Sequence, residues 1–324
     1  MKNILIVSGT GDAHAEYMCK ILSSKNIPFF LFLSDKYPYE AQITLEFNNN
    51  HTITYQDRKI NLNSDWSIWN RRIFPPEFPT NFPRNLEEMV IEESKRTLQG
   101  LMVTHPGLVV NNPFNNYRAN NKIEQLQRAR EIGLNVPDTL ITNEPNNAKE
   151  FYEKHKGNII FKMQKLPIIE DKNGVHKTIM TRRVLAEDFT EIERIKNSPC
   201  LFQEHIEKEY EIRLTIVGNE LFPIAIYSQD SEISRDDFRR YDFGKVRYKT
   251  VNIPEETTTK ILNLTKEYKL HYAAIDLIHT PKGKYVFLEL NPNGQYLWTE
   301  EMSGAPITSS FADYLAGLKT PKEF

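Results

Sequence analysis

The amino-acid sequence predicts a mixed α/β (α+β) fold organised as two or three lobes. Length is the first reason, because 324 residues exceed what one hydrophobic core usually organises. The second is the stretch up to about Val110, where short apolar runs alternate with helical spacing, as in an α/β lobe. The third lies near the carboxyl end, where two apolar runs flank Pro281-Lys282-Gly283-Lys284 and read as an antiparallel hairpin. The composition, 40% hydrophobic and 26% charged, is that of a soluble globular chain.

Ile4–Val7 is a first strand, followed by Gly9-Thr10-Gly11-Asp12-Ala13-His14 and a helical stretch to Leu22. His14 stands where a dinucleotide fingerprint needs its third glycine, and no ribose-binding acid is evident, so the segment reads as a tight βα turn. Phe29–Leu33 supplies a second strand. Ile43–Phe47 and Thr52–Tyr55 form a hairpin across Asn48-Asn49-Asn50. Trp66 to Arg72 alternates as a further strand. Prolines between Phe74 and Pro83 interrupt regular structure, and Leu86 to Leu101 returns to helical spacing.

Pro106 to Asn116 is a loop leading into a helix capped by Asn115 or Asn116 and ended by Gly133. Lys122 lies in its first turns, where a lysine alone is ordinarily solvated. Ile159–Met163 is a strand on which Lys162, between Phe161 and Met163, either meets an anion or points out of the sheet. Asn173-Gly174 marks a turn into a second strand, Thr178–Val184, and the loop from Lys165 to Gly174 is placed to cover a ligand. Leu201 to Ile206 is a short strand and connector. Tyr210–Val217 is a half-buried strand with Glu211 and Arg213 on one face, and as an isolated surface pair these would contribute little. Asp236 to Gly244 is charged, aromatic and glycine-ended, and by itself reads as a solvated loop. Thr257–Tyr268 is a helix, and Ile307–Leu315 closes the chain.

With Lys282 and Gly283 as the two loop residues, Asp276 faces Glu289, and strand alternation puts Asn291 beside Glu289. Two carboxylates with β-carbons about 5 Å apart repel one another. A hard divalent cation would offset that repulsion, since Asp, Glu and Asn supply only oxygens. The other reading is an exposed polar face. Ile275, Leu277, Leu288 and Leu290 suit a sheet buried on its other side, which favours the cation. Mg²⁺ held mostly through phosphate oxygens fits better than a cation caged by protein alone.

A net charge of −2 gives no general affinity for nucleic acid or an anionic membrane. Cys19 and Cys200 match no metal or redox spacing, which suits a reducing, cytoplasmic setting. No apolar run reaches membrane-spanning length, and the start reads as a strand rather than a signal peptide.

Two lysines on separate elements, then Glu-x-Arg, then Asp276 and Glu289-x-Asn291, together suit phosphoryl transfer without a Walker loop. Over about residues 115–324 this order resembles the ATP-grasp superfamily. The resemblance implies an ATP-grasp fold: an N-terminal pre-ATP-grasp α/β lobe at 1–113, a small central lobe at 114–196 and a C-terminal antiparallel-sheet lobe at 197–324. It implies that Lys122 and Lys162 hold ATP phosphates. Gln203, Glu204, His205 and Ile206 would form the adenine hinge and Glu211 would hold ribose. Arg213 would face the phosphoryl group, and Asp276, Glu289 and Asn291 would hold Mg²⁺, with Asn291 also facing the nucleotide.

Trp69-Asn70-Arg71-Arg72-Ile73, Asn121 to Leu126, Val136 to Asn143 and Asn291-Pro292-Asn293-Gly294-Gln295-Tyr296-Leu297-Trp298 carry a narrower resemblance. They are similar to the graspetide (microviridin-type, omega-ester peptide) synthetases. These link Asp or Glu side chains of a ribosomal precursor peptide to Ser or Thr hydroxyls or to Lys amines. Such a precursor has a leader and an acidic, Thr/Ser-rich core. Asp237, Arg239 and Arg240 correspond to the core-peptide site, with Phe238 where some members carry Trp. Arg213, Arg239 and Arg240 would stabilise the acyl phosphate and the tetrahedral oxyanion. The resemblance also implies a homodimer. The nearest alternative is an ATP-grasp carboxylate–amine ligase that adds amino acids to a peptide or protein. A regulatory nucleotide-binding protein and, resting only on Gly9 and Gly11, an oxidoreductase stand further off.

Overall fold

The computed structural model describes residues 1–46, 51–165, 168–170, 176–235, 238, 242 and 244–324, with backbone alone at 168–170 and 176–178. Asn3–Ser8 lies between Phe29–Leu33 and Trp66–Asn70 in a parallel sheet that Val109–Val110 extends. Its unbroken apolar run is buried on both faces, as parallel strands require. Ile4 and Ile6 enter one core, Leu5 and Val7 another. Asp12 caps the following helix, Ala13–Ser24, by accepting from the N–H groups of His14 and Ala15.

Ala41–Leu45, His51–Tyr55 and Arg58–Leu62 form an antiparallel meander. The third strand carries no turn signal in the sequence. Its two-residue turn puts Gln56 at φ +49° and Asp57 at φ +58°, a conformation that glycine or asparagine would have announced. The expected Asn48–Asn50 turn lies outside the described residues.

The single helix expected after Pro106 is two, Pro113–Ala119 and Lys122–Glu131. Their caps are Asn112 and Asn121 rather than Asn115 or Asn116, and Gly133 at φ +86° ends the second. The central sheet is antiparallel in the order Arg182–Arg183, Ile159–Lys162, Cys200–Glu204, Thr139–Thr142. Helix Pro145–Lys154 and the helical turns of Ala186–Asn197 cover it through Phe151 and Ile192. The expected Thr178–Val184 strand is divided. His176–Thr178 pairs with Ile168–Glu170 in a separate ribbon, and Arg182–Arg183 joins the central sheet. The Asn173-Gly174 turn falls outside the described residues, as does part of the Lys165–Gly174 loop.

The C-terminal sheet is antiparallel, in the order Tyr248–Thr250, Glu220–Ile226, Tyr210–Val217, Tyr272–His279, Tyr285–Asn291. One face buries Ile212, Leu214, Ile275, Leu277, Phe287 and Leu290 against helices Lys122–Glu131 and Glu255–Glu267. The other face carries Arg213, Asp276 and Glu289. Helix Ile307–Leu315 returns to the N-terminal sheet, so that Phe311 and Leu315 share a core with Ile4, Met18 and Trp69. Among the described residues no helix is long and apolar enough to cross a membrane.

Candidate active site

The hairpin reaches the predicted pairing by a different route. Strand pairing ends at His279 and Tyr285, so the loop spans Thr280–Lys284 rather than two residues, with Gly283 at φ +73°. Continued without a break, that register would set Leu288 opposite Asp276 and turn Glu289 to the far face. A β-bulge beside Asp276 and Leu277 restores the pairing, and Asp276 then faces Glu289 while Ala274 faces Asn291. The bulge also exchanges two apolar roles: Leu288, expected in the core, lines the cavity, and Phe287 takes the core position.

Arg213 pairs with Asp276 in the neighbouring register, so Arg213, Asp276 and Glu289 line up across three adjacent strands. Arg213 Nη1 donates to Asp276 Oδ1 at 2.7 Å, and Lys122 Nζ donates to Glu289 Oε2. Asn291 Nδ2 donates to Glu289 Oε1 at 3.0 Å. The repulsion between the two carboxylates is therefore already offset by cations of the chain itself, and does not by itself require a metal. Nor do Glu211 and Arg213 form an exposed pair. Glu211 accepts from Lys208 Nζ at 2.7 Å, and each side chain of that pair is 7% exposed.

A cavity of about 1180 Å³ opens between the central and C-terminal sheets. It is large enough for a nucleotide with space beside it. Lys162 lines it from the central sheet, Lys122 from the start of the helix packed on the C-terminal sheet, and Gln203, Glu204, His205 and Ile206 from the connecting segment. Glu211, Arg213, Asp276, Glu289 and Asn291 line it from the C-terminal sheet. The N–H groups of Glu204 and His205 already donate to the Asp138 and Asn158 carbonyls, so those two donors are committed within the chain. Asp237, Arg239 and Arg240 lie outside the described residues. Phe238, described between them, stacks on Trp298 with ring centroids 5.8 Å apart.

Of the buried polar atoms that find no partner among the described residues, two stand out in the cavity lining. They are Arg213 Nε, a donor, and Gln203 Oε1, an acceptor. A ligand offering both donors and acceptors fits these groups, as an adenine nucleotide does. Among the described residues no three His, Cys, Asp or Glu side chains cluster as a metal cage. Two carboxylates and an amide instead suit a hard cation whose remaining ligands are phosphate oxygens. Sequence reasoning missed Lys208 and Arg72, which also line the cavity. Lys208 shows only in its buried contact with Glu211. Arg72 reaches the cavity from the N-terminal lobe and lies over the Phe74 ring. Burial, and then neighbouring Arg71, lower its pKa.

A cleft with one lysine on a small sheet, a second at a helix start and paired carboxylates on a larger sheet suits a ligand held between two lobes. The chain belongs to the RimK-like ATP-grasp domain family, whose model matches residues 119–315. The MvdD pre-ATP grasp domain model matches residues 3–118. In solved structures, the chain resembles the Chryseobacterium gregarium RiPP-associated ATP-grasp ligase in complex with ADP and a leader and core peptide. That match has 27% identity and a TM-score of 0.91, covering 100% of this chain and 99% of the other. Macrocyclase MdnC of Microcystis aeruginosa, bound with precursor peptide MdnA, matches at 28% identity and a TM-score of 0.85, covering 97% and 99%. A probable alpha-L-glutamate ligase of Klebsiella pneumoniae is 23% identical over 207 residues, 63% of this chain; the match spans 66% of that ligase's length.

Proposed function

We propose that the chain is an ATP-dependent peptide ligase or cyclase. It activates Asp or Glu side chains of a ribosomal precursor peptide as acyl phosphates and joins them to Ser or Thr hydroxyls or Lys amines. The observation that carries the reading is the line Arg213–Asp276–Glu289 across three strands, facing Lys122 and Lys162 in one cavity. Likeness to two peptide-bound ATP-grasp structures over almost the whole chain supports the choice of a peptide. The lobe boundaries at 113/114 and 196/197, the homodimer and the cytoplasmic setting belong to the same reading.

Lys122 and Lys162 neutralise the phosphates of ATP, and Gln203 to Ile206 hold the base. Asp276, Glu289 and Asn291 would hold Mg²⁺, which would neutralise charge on the transferred phosphoryl group. With Glu289 serving the metal, Lys122, which pairs with that carboxylate here, would be left to neutralise phosphate. A peptide carboxylate oxygen attacks the γ-phosphorus, the bond to ADP breaks, and an acyl phosphate forms. A peptide hydroxyl or amine next attacks the acyl carbon, loses its proton, and phosphate leaves with the bonding electrons. Arg213, with one N–H group uncommitted, stabilises charge on the acyl phosphate and the tetrahedral oxyanion. Arg239 and Arg240, which follow Phe238 in the sequence, do the same, and with Asp237 they hold the core peptide.

The test is incubation of the purified protein with Mg·ATP and either an acidic, Thr-rich precursor peptide or free glutamate with a protein acceptor. Peptide-dependent ADP release with loss of one water per ring, read by mass spectrometry, is expected. Addition of glutamate without dehydration of the peptide would move the chain to the amino-acid ligases.

A further inference from the structure

The turn Gly9–His14 has no part in the nucleotide chemistry, yet it reaches the site. Residues 292–297 join the strand carrying Asn291 to helix Leu297–Ser303, and every peptide of this segment is held by a side chain from elsewhere. Asn111 Nδ2 donates to the Pro292 carbonyl at 3.0 Å, and Arg71 Nη1 to the Asn293 carbonyl at 3.0 Å. Tyr272 Oη donates to the Gly294 carbonyl at 2.6 Å, and Arg213 Nη2 to the Gln295 carbonyl at 2.8 Å. The N–H groups of Tyr296 and Leu297 donate to His14 Nε2 at 3.2 and 3.3 Å.

Asn111, Arg71 and His14 all come from the N-terminal lobe, and the last two are locked together. Asp12 Oδ2 lies 3.3 Å from Arg71 Nε, with both side chains 4% exposed, and Arg71 Nη2 lies 3.3 Å from His14 Nδ1. An imidazole that receives two N–H groups at Nε2 carries its one proton on Nδ1, which faces Asp12 Oδ1 at 3.9 Å, so Arg71 Nη2 is a neighbour of that nitrogen and not a donor to it. Burial and the Arg71 guanidinium hold the His14 pKa down to about 4, which keeps the ring neutral.

The segment is closely packed at Gly294 on the side of Ala274, Arg213 and Asn291. A β-carbon on Gly294 would lie 2.5 Å from Ala274 Cβ, 2.7 Å from Arg213 Nη2 and 3.1 Å from Asn291 Cβ. Movement of Gly294 towards those neighbours therefore meets Arg213 and Asn291 rather than open space. We propose that Asp12, Arg71 and His14 are positioning residues: they fix segment 293–297, and through it they set Asn291 and Arg213 for the metal and phosphates. This rests on the nucleotide part of the proposed function and not on the identity of the peptide.

The test is calorimetric ADP binding to the full chain with and without Mg²⁺, for the wild type, His14→Ala and His14→Gln. Glutamine keeps an acceptor on a side chain of similar reach. His14→Ala is expected to bind metal-free ADP within about twofold of wild type but to lose about tenfold of the affinity that Mg²⁺ adds. His14→Gln recovers most of that increment. A full Mg²⁺ increment in His14→Ala overturns the proposal. So does an equal loss with and without metal that glutamine does not rescue, which marks a merely structural role. So does a wild type with no increment. If His14→Ala does not fold, Arg71→Lys decides. It keeps the charge beside Asp12 but cannot reach both Asn293 and His14, so retention of the increment overturns the proposal and its loss supports it. Mg²⁺-dependent ADP binding without turnover of any precursor peptide defeats the peptide reading and leaves this one standing.

Discussion

His14 is a buried imidazole and His271 a half-buried one, and both are held neutral. For His14 the cause is burial, then the Arg71 guanidinium; for His271 it is burial, then Lys322; both have pKa values lowered to about 4. In the unfolded chain an imidazole titrates near about 6.5. As pH falls from 6.5 to about 4 the unfolded chain takes up protons that the folded one refuses, so stability drops across that window and is fully present above it. Each histidine contributes on the order of 3 kcal/mol to that slope. The urea midpoint should fall between about pH 7 and about pH 5, and His271→Asn should flatten part of the fall. An unchanged slope in that variant would remove His271 from the account. None of this was legible in the sequence, where His14 registered only as the residue spoiling a glycine pattern. Burial by a distant segment leaves no spacing signature, and Lys208 escaped notice for the same reason. Asp276, Glu289 and Asn291 were legible from strand alternation across the hairpin, whereas Lys122 and Arg213 were singled out by the resemblance in their order along the chain.

At the scale of the element, caps and turns decide where those side chains stand. Asn121 accepts from the N–H groups of Ile123 and Glu124, both at 3.1 Å, and so starts the helix whose first residue is Lys122. Asn121→Ala should cost about 1 kcal/mol of stability. Because the frayed end is the lysine's own turn, it should also weaken ADP binding. Asn121→Asp, which caps equally well, should restore both. Loss of stability without loss of affinity would show that Lys122 is placed by something other than its cap. The sequence could not choose among six asparagines between Asn111 and Asn121, since each is a competent cap and only packing selects Asn112 and Asn121. The hairpin is a sharper case. Its predicted register holds at Asp276 although the loop is longer than predicted, because a bulge supplies the missing shift. A bulge leaves no residue signature in an apolar run, so the pairing was readable while its cause was not.

At the scale of the whole molecule, the first and last elements share one core. Phe311, fully buried, packs edge-on against Trp69 at 5.2 Å between ring centroids and stacks on Tyr272 at 5.2 Å. Lys25 and Asp313 form an ion pair at 2.6 Å, and the Lys2 N–H donates to the Ala316 carbonyl at 2.8 Å. The parallel sheet cannot cover its Ile4–Ile6 face without helix Ile307–Leu315, and the C-terminal sheet cannot cover Tyr272 without Trp69. Phe311→Ala should therefore destabilise the chain by about 3–5 kcal/mol, as a buried aromatic cavity does. Calorimetry should still show one transition, shifted down, because both lobes lose the same contact. Segment 292–297 crosses that interface, so the Mg²⁺ increment in ADP affinity should decline as folding is lost and not before. Two separate transitions in the variant, with the C-terminal sheet melting at its original temperature, would mean that the lobes are neighbours and not one cooperative body.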